Sequence, residues 1–417
     1  MAATTFLSRN PTTGKVEEIL GLSNSDAFGR SRVSSPTTLF DLSHLYDKQP
    51  LYIQELTASG GTGTHLPNEA AVNMAVTTTI GSRVVRQTRR YFSYQPGKSL
   101  LVMLTGVLAN VETTSIRSRI GLFDDAADKT VDTGGNGIFF EYSGGVCKIV
   151  KRSFISGVQV DTAIAQGSWS EGDQLDGLGK SGKILDVTQA QIFWIDLEWL
   201  GVGTVRCGVV IDGQFITLHK FHHANIINSV YMTRASLPVR YEIRQMTGVA
   251  AASMKHICCS VQSEGGYETT GRVLSRAMVT PVTVNTTTSP EMSIRLKAGY
   301  NRANLRLRYA DLMITSNQSL TYQILYGATL TGPTNWISAD ATNSGVEYDQ
   351  SSTGYSGGRV IESGFLSSTN RQVQIPVYNT FDAPGCDIAG NTEAITMIIT
   401  STGRANAYIS MTWQESH

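Results

Sequence analysis

The chain has 417 residues, more than one ordinary hydrophobic core accommodates, so two domains are expected. Lys plus Arg and Asp plus Glu each number 34, and this neutral balance argues against a nucleic-acid partner, whose phosphates call for a basic excess. Only 16% of residues are charged, against roughly 25% in ordinary soluble domains. Ser, Thr, Asn, Gln and Gly take their place, as on β-sheet surfaces and turns.

Residues 1–69 are expected to form an extended N-terminal arm for subunit contacts, too poor in apolar residues to bury a core alone. Two short elements, Val16–Leu22 and Leu39–Tyr46, interrupt it. Val16, Ile19, Leu20, Phe40 and Leu42 are its apolar residues, expected to bury against another subunit. The opening MAATTFLSRNPTTG has no apolar stretch of the secretory kind, so synthesis in a cytoplasm without a signal peptide is expected. The apolar run 100–111 is too short to span a bilayer, and no membrane insertion is expected.

Residues 70–262 read as a series of strands. Val72–Ile80, Ser99–Ala109 and Ser115–Phe123 come first. Gly137–Tyr142 and Val146–Lys151 then flank Ser143-Gly144-Gly145, a turn suited to a hairpin. In 191–199 the apolar Phe193, Ile195, Leu197 and Trp199 alternate with Trp194, Asp196 and Glu198, a period of two. After Gly201-Val202-Gly203, the residues Val205, Cys207, Val209 and Ile211 share a face. Asp212-Gly213 then turns the chain into 214–221. The result is a three-strand antiparallel meander. Val239, Tyr241 and Ile243 face opposite to Arg240, Glu242 and Arg244, which predicts a strand with one face in solvent. With no long amphipathic helix between strands, the fold class is all-β: two jelly-roll-like β-sandwiches preceded by the arm. Residues 263–290, rich in Gly, Thr and Ser, are expected as a linker, and 291–417 as the second sandwich.

Chemistry-bearing patterns are few. Asp196 and Glu198 lie two apart on one strand, as the carboxylates of jelly-roll glycoside hydrolases do. Those enzymes carry Glu-x-Asp-x-Glu, and here the first acidic position is Trp194, so no catalytic residue is assigned. Trp194 with Asp196 remains a candidate glycan-binding surface. His222 and His223 are adjacent and point to opposite faces of a strand; His219 and His223 share a face without an evident third ligand. Asp124, Asp125 and Asp128 make an acidic loop without the spacing of a calcium hand. The cysteines Cys147, Cys207, Cys258, Cys259 and Cys386 show no CxxC and read as reduced, buried thiols. No metal or other cofactor is expected.

The strings RYFSYQPGKSLLVMLTGVL, FFEYSGGVCKIVKRS and QIFWIDLEWLGVGTVRCGVVIDGQFITLHKFHHAN resemble structural proteins of tailed bacteriophages, marine ones included, over 85–262. Their corresponding domain looks like a concanavalin A-like lectin or laminin-G sandwich. The resemblance implies a non-enzymatic virion protein: a capsid decoration or vertex protein, or a tail, baseplate or fibre component. Its partners would be other virion proteins and copies of itself, a trimer being the working expectation. The alternative is an adhesin that binds a host-surface glycan through sandwich loops.

Overall fold

Alternation in the sequence becomes strand in the structure almost wherever it occurs. The structure, a computed structural model, describes residues 6–9, 16–19, 35–129, 134–268, 271–377 and 385–416. Among these there is no α-helix, and four larger sheets stack as two β-sandwiches, each with its own apolar core.

The first sandwich pairs a seven-stranded with an eight-stranded sheet. The seven run in the order Val160–Ala165, Val146–Ser153, Gly137–Ser143, Ile116–Phe123, Val239–Gln245, Arg83–Thr88 and Ile53–Ala58. In the other sheet the predicted meander is present, with Gln191–Leu197 paired to Val205–Ile211 and that strand to Gln214–Phe221. Phe193, Ile195, Leu197, Val205, Cys207 and Val209 all face the core and are fully buried. Both tight turns are left-handed at their two central residues: Gly144 and Gly145 at φ of 62° and 76°, Asp212 and Gly213 at 52° and 74°. That hand matches the twist of the strands it joins.

The eight-stranded sheet corrects the expected arm. Its long strand Ala252–Glu264 pairs along one edge with Ser99–Val107. Along the other edge Ala71–Val76 and Thr37–Ser43 lie end to end. Ile53–Ala58 and Thr62–Leu66 also belong to the sheets, so residues 37–66 are part of the sandwich. Phe40 and Leu42, expected against another subunit, are buried in this chain's own core. Phe40 lies 5.4 Å from Phe92 and 6.3 Å from Tyr52, ring centroid to centroid. The cause is the vacant edge beside Val261 and Cys259, which this strand fills. Val16 and Ile19 fall in the strand Val16–Ile19, paired to Phe6–Arg9; Leu20 lies outside the described residues.

In the second sandwich Arg272–Ala277 and Asn304–Ile314 flank the final strand Ala405–Ser416. Val282–Val284 pairs with that strand too, so the expected linker supplies two strands. The opposing sheet runs Ile337–Ser338, Val346–Asp349, Ser289–Leu296, Ile395–Ser401, Leu320–Tyr326 and Arg359–Leu366. Trp413 is fully buried, its indole N–H donating to Glu415 over 2.7 Å.

Buried charge joins the sandwiches. Asp124 Oδ2 lies 2.7 Å from Arg302 Nε and 2.9 Å from Lys129 Nζ. Burial opposes ionisation of Asp124, yet those two cations hold it below the usual carboxylate range. Arg89 Nη1 meets Glu393 Oε1 at 2.6 Å, and the Ile388 N–H donates to Gln54 over 2.7 Å.

Candidate functional site

Strand alternation turns Ile192, Trp194 and Asp196 to the outer face of the meander. Trp194, expected on an open sugar-binding surface, is covered and only 4% exposed. Gly208 stands opposite it on the next strand and leaves room for the indole to lie against the sheet. A Cβ at Gly208 would come within 2.5 Å of the Trp194 ring and 2.1 Å of the Ile216 carbonyl oxygen. Phe215 packs on Trp194 with centroids 5.7 Å apart, and the indole N–H donates to the Val209 carbonyl over 3.0 Å. Asp196 is buried and accepts from Arg206 Nε at 2.9 Å. Glu198 lies just past the strand end and is exposed, so the pair frames no cleft. Gly208→Ala is expected to lower stability by about 2 kcal/mol through overpacking. A melting curve that does not move, or unchanged Trp fluorescence, would show that the ring is not held there.

The other candidates separate in the same way. His223 is buried, its Nδ1–H donating to the Gly203 carbonyl over 2.6 Å, whereas His222 is exposed. His219 accepts from the Ser170 N–H through Nδ1 at 3.2 Å. Asp124 faces Lys129 and Arg302, Asp125 faces Arg152 at 3.6 Å, and Asp128 faces Arg83 and Arg240. Among the described residues no group of three or more His, Cys, Asp or Glu side chains is placed to hold a metal.

The densest chemistry lies on the outer face of the seven-stranded sheet, where a solvated surface is expected. Arg240 and Glu242 are 1% and 0% exposed. Glu242 Oε2 meets Arg240 at 2.6 Å and Arg83 at 3.2 Å; Oε1 meets Arg117 at 2.9 Å and Arg119 at 3.9 Å. Arg119 also binds Glu141 at 2.7 Å, and Arg152 binds Asp161 at 2.7 Å. Phe123 and Phe139 lie amid these charges with centroids 4.5 Å apart, under the guanidiniums of Arg119, Arg152 and Arg240. Burial works against the charge on Glu242, but the surrounding arginines hold it well below the usual carboxylate range; Glu141 and Asp125 are lowered in the same sense. Carboxylates held ionised in this way cannot supply the proton that glycoside cleavage requires. Glu291 is shifted the other way, pushed up by burial, but its hydrogen-bond partner is the Ser289 hydroxyl, with no second carboxylate in the contact.

A second polar cluster sits between the two sheets. Arg86 donates through Nε to His256 Nδ1 at 3.3 Å, through Nη2 to His44 Nε2 at 3.2 Å and the Lys48 carbonyl at 2.6 Å, and through Nη1 to Glu55 at 2.5 Å. His44 donates from Nδ1 to the Ile257 carbonyl at 2.7 Å, and its own carbonyl accepts from His65 Nε2 at 2.7 Å. Tyr241 stacks on His256 at 3.6 Å. Burial pushes His44 down to about 4 and His256 well below the ordinary histidine range, so both rings are neutral acceptors for Arg86.

No protein-family model and no curated protein sequence matches this chain. Among solved structures, it is similar to the β-glucanase of Bacillus licheniformis at 11% identity and TM-score 0.35, covering 56% of this chain and 99% of that one. It is similar to an endo-β-1,4-glucuronan lyase of the fungus Trichoderma reesei at 10% identity and TM-score 0.38, covering 54% and 95%. Peanut lectin aligns at 12% identity and TM-score 0.31, covering 55% and 97%. At these values the likenesses assign no activity here. No helix among the described residues is long and apolar enough to cross a membrane.

The sequence reading missed the Glu242 lattice and the Arg86 cluster. The signal available was alternation: Arg240, Glu242 and Arg244 share one face of a strand whose other face is wholly apolar. Nothing in it told buried from solvated.

Proposed function

We propose that this chain is a non-enzymatic structural protein of a virus particle, a rigid two-sandwich block that joins its neighbours through residues 1–34 and its sheet edges. The supporting observation is the state of its carboxylates. On the outer face of the seven-stranded sheet they are ionised and matched to arginines. Each of these carboxylates is held by an arginine in its ionised form, and an ionised carboxylate is no proton donor for group transfer. The resemblance that the sequence strings within 85–262 bear to tailed-phage structural proteins supports the same reading.

Assembly through the leading segment is tested by sedimentation of the purified chain with and without residues 1–34. The full chain is expected to form a discrete oligomer, and the truncated one to be a monomer with an unchanged melting temperature. A full chain that stays monomeric at high micromolar concentration removes the proposed role of that segment. Absence of the chain from purified particles would remove the virion assignment. A second reading, an adhesin that binds host glycan, is favoured by one cavity on the first sandwich.

A further inference from the structure

We propose that the cavity between the edge strand Val160–Ala165 and the loop 225–231 binds an acidic saccharide, with Lys151 receiving its carboxylate. The proposal goes beyond the assembly role, since a building block assembles alike with or without this site. The cavity measures about 850 Å³ and opens where the seven-stranded sheet ends.

Lys151 shares a strand face with Ile149, so its stem starts between the sheets, and its side chain lines the cavity. Among the described residues it forms no ion pair. Its neighbours are instead a neutral ring and two aromatic faces. His223 spends its Nδ1–H on the Gly203 carbonyl, so its Nε2 accepts from Lys151 Nζ at 2.9 Å. The ammonium lies 5.4 Å and 5.9 Å from the ring centroids of Phe221 and Tyr231. His223 in turn stacks on Tyr231 at 3.9 Å and 6°. Burial lowers the proton affinity of both Lys151 and His223, which keeps the imidazole neutral and an acceptor. One of the three ammonium N–H bonds is thus used, and the rest lack a counter-charge.

The remaining wall favours a sugar over an acyl chain. Thr162, Asn225 and Asn228 line it with side chains that make no hydrogen bond among the described residues. Val160 and Ile226 are 50% and 70% exposed and offer apolar patches for the C–H face of a pyranose. Neutral donors and acceptors, apolar patches and one unpaired cation together match a uronate.

Titration calorimetry of the full chain with tri-galacturonic acid, its methyl ester and octanoate tests this. The acid is expected to bind at least tenfold more tightly than the ester, and more weakly as salt is raised. Lys151→Gln should bring the acid to the level of the ester, and Lys151→Arg should restore it. Should Lys151→Gln fail to fold, Val160→Trp narrows the cavity from the exposed edge, leaves Lys151 in place and is expected to abolish binding of the acid. Equal affinity for acid and ester, or full binding by Lys151→Gln, overturns the role of Lys151. Preference for octanoate overturns the saccharide, and no binding by any probe overturns the site.

Discussion

Glu242→Gln is expected to cost the first sandwich about 3–5 kcal/mol, the usual penalty for removing one partner from a buried ion pair. The shape is kept, so the loss is electrostatic. Arg83, Arg117, Arg119 and Arg240 converge on this carboxylate, and Arg240 is itself 1% exposed. Without it, their mutual repulsion acts where water cannot screen it. Asp196→Asn is the matched control, because its partner Arg206 has 53% of its side chain in solvent. That substitution should cost under about 1 kcal/mol. Denaturant midpoints of the two variants decide the matter: equal midpoints would mean that the Glu242 lattice is solvated.

Lowering the pH from 6.5 to 4 is expected to destabilise the same sandwich by about 3 kcal/mol through His44 alone. The folded chain holds His44 neutral down to about 4, while the unfolded chain protonates it near 6.5. In that window the unfolded state binds more protons, so stability falls as the pH falls. His256, lowered for the same reason of burial, adds in the same direction. A proton on either ring would face Arg86 in the same enclosed space. Below the carboxylate range a further loss follows as Glu242, whose folded affinity for protons is depressed, becomes protonated. His44→Gln can keep both hydrogen bonds, one to the Ile257 carbonyl and one from Arg86, yet does not titrate. Its melting temperature should vary less between pH 6.5 and 4, and a slope identical to the parent's would acquit this histidine.

Strand, turn and face were readable where one strand's apolar side chains sufficed to mark the interior. The 191–221 meander is the clearest instance, since Phe193, Ile195 and Leu197 define a face without reference to anything distant. The charged residues were not readable, because what they do depends on partners remote in the chain. The run from Arg83 to Arg90 looks like one basic patch, but the structure sends each arginine elsewhere. Arg83 joins Asp128 and Glu242, Arg86 turns inward to Glu55 and His256, Arg89 reaches Glu393, and Arg90 donates to the Leu39 carbonyl. Trp194 failed as a sugar platform for a related reason: its cover comes from Phe215 and the gap at Gly208, both on other strands. Residues 37–66 looked like an arm because short edge strands carry little apolar signal of their own. Their partners, such as Val261 and Cys259, become evident only in three dimensions.

The pairing of Thr37–Ser43 with Ala252–Glu264 also places a clock on biosynthesis. Ile257 is joined to the chain 213 residues after its hydrogen-bond partner His44. At ribosomal rates of about 5–20 residues per second, the earlier segment waits roughly 10–40 s for its mate. Phe40 meets Tyr52 and Phe92 early, but over that interval the strand edge that will pair with Ala252–Glu264 stays open, and an open edge invites pairing with other chains.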